Sequence, residues 1–290
     1  MSEKLHIAQN LEDALLFRKE NDCIVMAGSS DLMVSAYQGY GALPKFDKPV
    51  LLIRNLEELI GVRRNSDGTV EIGACTTSRQ IVESPDTPWV LKQAAGRMGA
   101  VALRNSATIG GNIANASPKG DTPGPLYLLD AVVNVMSLDG GRRSIPIRDF
   151  IIKFRTIDLK NDEIITSVTI PVSDKDMTYW FYHKIGTRAA NAISKLTLCA
   201  CAKVSWGEVK DFRIAATASG PVTNRSRDVE NIAIGLKLDE LAAKASEISG
   251  AFDKVISPRA MPEFRREATR RMIEFFIDKV SKNSYKKFYN

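Results

Sequence analysis

Two short segments carry the residue types best suited to an anionic ligand. Ala27-Gly28-Ser29-Ser30-Asp31-Leu32 follows an apolar run, Cys23–Met26, and leads into Asp31–Tyr37, which can start a helix. A strand-to-helix turn of small residues leaves backbone N–H groups unpaired and pointing outward, which suits a phosphate. Gly28 permits close approach, and Ser29 and Ser30 add hydroxyl donors. The plainer reading of this segment is an unliganded turn with Ser29 or Ser30 as N-cap. Thr108-Ile109-Gly110-Gly111-Asn112 has the same character, since adjacent glycines can form a concave nest of amides. Thr108 and Asn112 bracket that nest with side chains able to bond sugar or phosphate oxygens, although a plain glycine turn would look the same. Together the two segments read as a pyrophosphate clamp. Neither is a GxGxxG or Walker motif, which disfavours an ordinary NAD domain or an NTPase.

Side chains for acid–base or metal chemistry are scarce. His6 and His183 are the two histidines, which leaves little room for a Ser–His–Asp triad or a His-based metal site. His6 reads as a surface residue and His183 as a packed or exposed strand residue, so we assign no catalytic and no metal-binding side chain. A cofactor that performs the reaction itself would explain this poverty. The four cysteines, Cys23, Cys75, Cys199 and Cys201, are scattered and will not hold an iron–sulfur cluster. Cys199 and Cys201 have the wrong spacing for a zinc knuckle; on a strand they share one buried face.

The elements that must position these segments follow from patterning. With 290 residues, 44% of them hydrophobic, two domains are expected. Asn10 caps a helix carrying Leu11, Leu15 and Leu16, and Cys23–Met26, Val50–Ile53 and Thr69–Ile72 read as strands. Helices are expected at Thr76–Ile81 and Pro88–Met98, whereas the polar, glycine-containing stretch from Arg104 to Asp121 reads as a long functional loop without helical period. Asp139-Gly140-Gly141 marks a hairpin between Ala131–Leu138 and Arg143–Ile145, and Glu163–Ile170 is a further strand. A domain boundary is expected near Val172–Met177. Strands then follow at Thr178–Lys184, Ser194–Trp206 and Val209–Thr217, and helices from Arg225 onward, an α+β pattern. Most of the net charge of +6 lies between Asp253 and Asn290, where ten Lys/Arg face five Asp/Glu counting Asp253. That excess fits one solvated face of a helix opened by Pro262, with Phe264, Ala268, Met272, Phe275, Phe276 and Lys279 at helical spacing; docking of a partner is the main other use. No base-stacking aromatic motif accompanies it, so nucleic acid is not expected. Apolar runs are too short for a bilayer and the first residues lack a signal-peptide pattern, so a cytoplasmic location is expected.

Arg104-Asn105-x-x-Thr108-Ile109-Gly110-Gly111-Asn112-Ile113-Ala114-Asn115-Ala116-Ser117-Pro118-x-x-Asp121 resembles the signature of the FAD-binding subunit of the molybdenum hydroxylases, the family of xanthine, nicotinate and carbon monoxide dehydrogenases. Ala27–Leu32 is similar to its first flavin loop, usually Ala-Gly-Gly-Thr-Asp-Leu, and Lys184-Ile185-Gly186-x-Arg188-x-Ala190-x-Ala192-Ile193-Ser194 to a third family stretch. The resemblance covers nearly the whole chain in order and spacing. It implies a two-lobed FAD-binding domain of the vanillyl-alcohol-oxidase/CO-dehydrogenase flavoprotein type over residues 1–172, with lobes of about 1–60 and 61–172. A small C-terminal domain of antiparallel sheet plus helices would occupy 173–290.

Carried over by position, the resemblance implies that Val25, Met26, Ala27, Gly28, Ser29, Ser30, Asp31 and Leu32 wrap the pyrophosphate and ribityl parts of FAD with Thr108, Ile109, Gly110, Gly111 and Asn112. Gly99 and Ile165 would lie beside the cofactor, Asp121 would accept from its hydroxyls, and Lys184 would approach from the second domain. The implied partners are a large molybdopterin subunit and a small subunit with [2Fe–2S] clusters, with electrons leaving FAD for NAD+ or another acceptor. Ser29 departs from the usual second glycine, so its backbone must keep φ negative or bear strain. The cysteine-bearing insertion of the 4-hydroxybenzoyl-CoA reductase branch is missing. Two other readings stand beside this one: a free-standing flavin oxidoreductase related to the UDP-N-acetylenolpyruvoylglucosamine reductases, and a flavin-less scaffold of the same fold.

Overall fold

The computed structural model describes residues 5–171, 176–284 and 287–289. A short strand, β1 (Leu5–Ile7), leads into α1 (Leu11–Glu20), whose start is fixed by the Asn10 side chain accepting from the Asp13 amide. Acidic residues in its first turn and basic ones in its last complement the helix dipole. β2 (Ile24–Met26), the one-turn α2 (Leu32–Ser35) and β3 (Val50–Leu52) follow. The strands form a parallel sheet in the order β1-β3-β2. His6 pairs with Asp13 at 2.9 Å and stacks on Phe17, so it is a half-buried part of this layer rather than a plain surface residue.

The next section contains β4 (Val62–Arg64), β5 (Val70–Gly73), α3 (Ser78–Glu83), α4 (Trp89–Gly96), α5 (Val101–Arg104), α6 (Ile109–Ala114) and α7 (Pro123–Leu128). β6 (Val132–Met136), β7 (Arg142–Pro146), α8 (Ile147–Phe150), β8 (Ile151–Lys153), β9 (Thr156–Ile157) and β10 (Ile164–Ile170) complete it. Its main sheet is antiparallel, ordered β4-β5-β10-β6-β7, with the expected hairpin closing at Asp139-Gly140-Gly141. The expected long loop from Arg104 to Asp121 is corrected here: α5 ends within it and α6 begins at Ile109, with Thr108 as N-cap. Glycine pairs weaken helices by about 1 kcal/mol per residue, but packing against β5 overrides that preference. The expected boundary at Val172–Met177 lies, for residues 172–175, outside the described residues.

β11 (Tyr179–Ile185), β12 (Leu196–Ser205) and β13 (Glu208–Thr217) are antiparallel neighbours in a third sheet. α9 (Arg227–Asn231), α10 (Leu238–Ala243), α11 (Ala245–Asp253) and α12 (Pro262–Ser281) follow, and β14 (Lys287–Tyr289) joins β11 in parallel. Alternation along the strands serves two cores. Trp180, Tyr182, Cys199, Cys201 and Ala215 join the core that holds α4 and α7, as expected for the two cysteines. Tyr179, Phe181, Leu198, Ala200, Phe212 and Ile214 face the helices instead. Burial on both faces explains why β12 reads as a continuous apolar run. In α12 the buried stripe is Arg265, Thr269, Met272, Ile273, Phe276, Ile277 and Val280; the expected Phe264 and Phe275 sit outside it, 40% and 39% exposed.

Cations also stitch β13 and the loop after it to α7. Arg213 donates to the Leu128 carbonyl and to Asp130, and Arg225 does the same at 3.0 Å to each. These bonds satisfy carbonyls that the end of α7 leaves open. The Ala218 amide adds a bond of 2.7 Å to the Pro118 carbonyl.

Candidate functional site

The parallel sheet ends β2 at Met26, and the chain turns there, at the carboxyl edge of the sheet, where open α/β layers bind ligands. Ser29 adopts φ 60°, so the strained alternative anticipated for this position is the one found. Around that left-handed residue the amides of Gly28, Ser29, Ser30, Asp31 and Leu32 donate to no acceptor within the described residues. Polar N–H groups left in this way need a ligand or solvent. The Ser29 hydroxyl donates to the Ala27 carbonyl at 3.2 Å, and Asp31 accepts from the Asn115 amide at 3.0 Å.

The second segment is built differently. Ile109 and Gly110 donate to the carbonyls of Thr76 and Ala74, at 3.1 and 2.9 Å, and Gly111 donates to the Thr108 hydroxyl at 3.2 Å. The expected nest of free amides is therefore absent at this segment, because the carbonyls of Thr76 and Ala74 and the Thr108 hydroxyl have taken them up. Gly110 is required for packing: a Cβ there would stand 2.8 Å from both the Cβ and the carbonyl of Ala74. The side chains are also partly committed. Asn112 Oδ1 accepts from the Thr122 amide and hydroxyl, which leaves its Nδ2 group to donate, and the Thr108 hydroxyl still has its proton to give.

The two segments touch. A Cβ on Gly28 would lie 2.1 Å from the Ser106 carbonyl and 2.9 Å from the Thr108 amide nitrogen, a backbone-on-backbone approach that glycine alone allows. Between and beside them opens a cleft of about 350 Å³. Of the first segment, Val25 and all of Ala27–Leu32 line it, while Met26 pairs with Leu52 in the sheet. Of the second, Thr108, Gly110, Gly111 and Asn112 line it and Ile109, 1% exposed, turns into the core. Ile165 lines it as well.

Gly99, Asp121 and Lys184 do not line the cleft. They form a neighbourhood of their own: Lys184 Nζ lies 2.6 Å from Asp121 Oδ1 and donates to the Arg97 carbonyl at 3.1 Å, two residues before Gly99. Burial pushes the Asp121 carboxyl above its ordinary range, and the Lys184 ammonium opposes that shift. The Tyr182 hydroxyl is fully buried with no hydrogen-bond partner among the described residues, and burial, then Asp121, raises its pKa well above the usual value.

Among the cleft residues not found by reading the sequence are three ionisable ones. Glu163, 3% exposed, is gripped by Arg143 through both oxygens at 2.7 Å, which holds its carboxyl below the ordinary range against the opposing effect of burial. Cys75 is pushed up to about 12 by burial, so its thiol is inert. Arg155 reaches the cleft from the turn between β8 and β9.

A row of unbonded amides, a loop contact closed to any Cβ and an apolar-walled cleft beside them fit a dinucleotide diphosphate with part of its attached groups. The chain matches the FAD binding domain in molybdopterin dehydrogenase over residues 1–173 and the CO dehydrogenase flavoprotein C-terminal domain over residues 181–280. It is 27% identical to a xanthine dehydrogenase FAD-binding subunit of Escherichia coli O157:H7, over 95% of this chain and 93% of that protein. It is 30% identical to the glyceraldehyde dehydrogenase medium chain of Sulfolobus acidocaldarius, over 91% and 92%. The fold is that of CO dehydrogenase from Oligotropha carboxidovorans, with a TM-score of 0.85 at 20% identity over 98% of this chain and 99% of that one. The cleft thus has a family: the chain belongs to the FAD-binding medium subunits of the molybdenum hydroxylases, and its cofactor is FAD.

Proposed function

We propose that this chain relays electrons within a molybdenum-containing dehydrogenase, from [2Fe–2S] clusters on a small partner subunit through FAD to NAD+ or another acceptor. A large molybdopterin-binding subunit would oxidise the substrate. The observation that carries the reading is the close approach of Gly28 to Ser106 and Thr108 beside the unbonded amides of Gly28–Leu32. When bound, FAD supplies the redox chemistry. The chain's own work is to bind and orient it. The amides of Gly28–Leu32 would donate to the diphosphate oxygens, and the Thr108 hydroxyl and Asn112 Nδ2 would donate beside them. Val25 and Ile165 would exclude water from the bound cofactor. Gly99, Asp121 and Lys184 would complete the site at the edge of the third sheet, where the buried ammonium favours negative charge on the reduced flavin. We divide the chain at 172/173 and place it in the cytoplasm; no helix among the described residues is long and apolar enough to cross a membrane.

Two measurements on the full chain test this. Its visible spectrum should show bands at roughly 370 and 450 nm, as expected of bound oxidised flavin, and the chain isolated from its source should carry molybdenum and iron with it. A folded chain that takes up no added FAD overturns the reading, and one that holds FAD but brings no metal overturns the relay in favour of a free-standing flavin enzyme.

A further inference from the structure

We infer that Arg155 is the residue that supplies positive charge to the cofactor's diphosphate, an inference that rests on the flavin reading above. The cleft is lined by three ionisable side chains besides the thiol of Cys75: Asp31, Arg155 and Glu163. Asp31 is engaged by Asn115, and both oxygens of Glu163 are taken by Arg143. Arg155 has no carboxylate within ion-pair distance among the described residues. Its guanidinium carbon lies 5.5 Å from the centroid of the exposed Phe154 ring, a contact that leaves its N–H groups to donate elsewhere.

Charge favours a cation here. The amides, hydroxyl and carboxamide that converge on the cleft are neutral, and Asp31 adds a negative charge to the wall that would receive a doubly anionic bridge. Among the residues lining the cleft, Arg155 alone can offset it. A planar guanidinium is suited to phosphate oxygens, which it engages through parallel N–H donors. The backbone holds it in place at some expense. Arg155 has φ 54°, unusual for a residue with a side chain, and its amide donates at 3.1 Å to the carbonyl of Ala116, itself at φ 44° just after α6. The β8–β9 turn is thereby fastened just beyond the helix that forms one wall of the cleft, and Arg155 lines the cleft from that turn.

The test is FAD titration of the full chain, stripped of flavin, at low and high KCl, for the wild type, Arg155→Met and Arg155→Lys. A lost charge-assisted contact at a water-accessible site should weaken FAD about tenfold in Arg155→Met. The salt dependence of binding should flatten in that variant, because screening acts on the missing pair. Arg155→Lys should keep the salt dependence and recover most of the affinity. The inference is overturned if Arg155→Met binds within twofold of the wild type, if it weakens with its salt dependence unchanged, or if Arg155→Lys behaves like Arg155→Met. A wild-type chain that binds no FAD at all instead overturns the flavin reading, so the two failures are told apart.

Discussion

The loop at Ala27–Leu32 and the turn at Thr108–Asn112 look alike as strings of small residues, yet they reach the same cleft by opposite means. In the first, five consecutive amides around a left-handed Ser29 have no internal acceptor. In the second, the carbonyls of Thr76 and Ala74 and the Thr108 hydroxyl consume the amides of Ile109, Gly110 and Gly111, so what it offers the cleft is side-chain donors and shape. Glycine plays different parts accordingly. Gly28 lets one backbone lie against another, while Gly110 lets a helix settle on Ala74. A glycine-rich motif is therefore no measure of how many free amides a loop presents; its hydrogen-bond ledger is.

The contrast can be broken most severely at the contact between the two. Gly28→Ala sets a methyl group 2.1 Å from the Ser106 carbonyl, where neither backbone can yield cheaply. We expect a loss of about 3 kcal/mol or more in denaturant unfolding and almost no FAD per chain by absorbance. A variant that retains flavin would mean that the loops need not touch. A smaller effect is expected on the side-chain wall. Thr108→Val removes the N-cap and the spare hydroxyl proton together, which should lower stability by about 1 kcal/mol and weaken FAD about tenfold by fluorescence titration. If affinity is untouched, the second segment contributes shape alone. The mildest change has the opposite sign. Ser29→Gly relieves the left-handed strain and should raise stability by about 0.5–1 kcal/mol, leaving FAD affinity within about threefold because the amides, not the side chain, face the ligand. A large drop in affinity would assign the Ser29 hydroxyl a direct role and erase the difference between the loops.

Much of the fold could be read from local chemistry. The cap at Asn10, the Asp139-Gly140-Gly141 hairpin and the helix opened by Pro262 depend on neighbours in sequence, and each appears where the pattern puts it. α6 was hidden because its glycines argue against a helix, and the contact with Ala74 that overrides them lies far away in the chain. α7 was masked by Pro123 and Pro125, which a first helical turn tolerates. At the site, loop positions and the cofactor followed from the motifs and the family resemblance. Glu163 and Arg155 did not, because their significance rests on what Arg143 and Ala116 do to them in space. The pairing of Asp121 with Lys184 was equally invisible, since each residue had been read only toward the flavin.

The third sheet gives alternate residues of the same strands to two different cores, and Arg213 and Arg225 bind its last strand and the following loop to the end of α7. Neither half is consequently a free-standing module. A fragment stopped before Tyr179 would bare the greasy underside of α4 and α7 and leave Asp130 without its cations. Swapping the C-terminal half for that of a distant cousin would demand matched replacements on both sides of the seam.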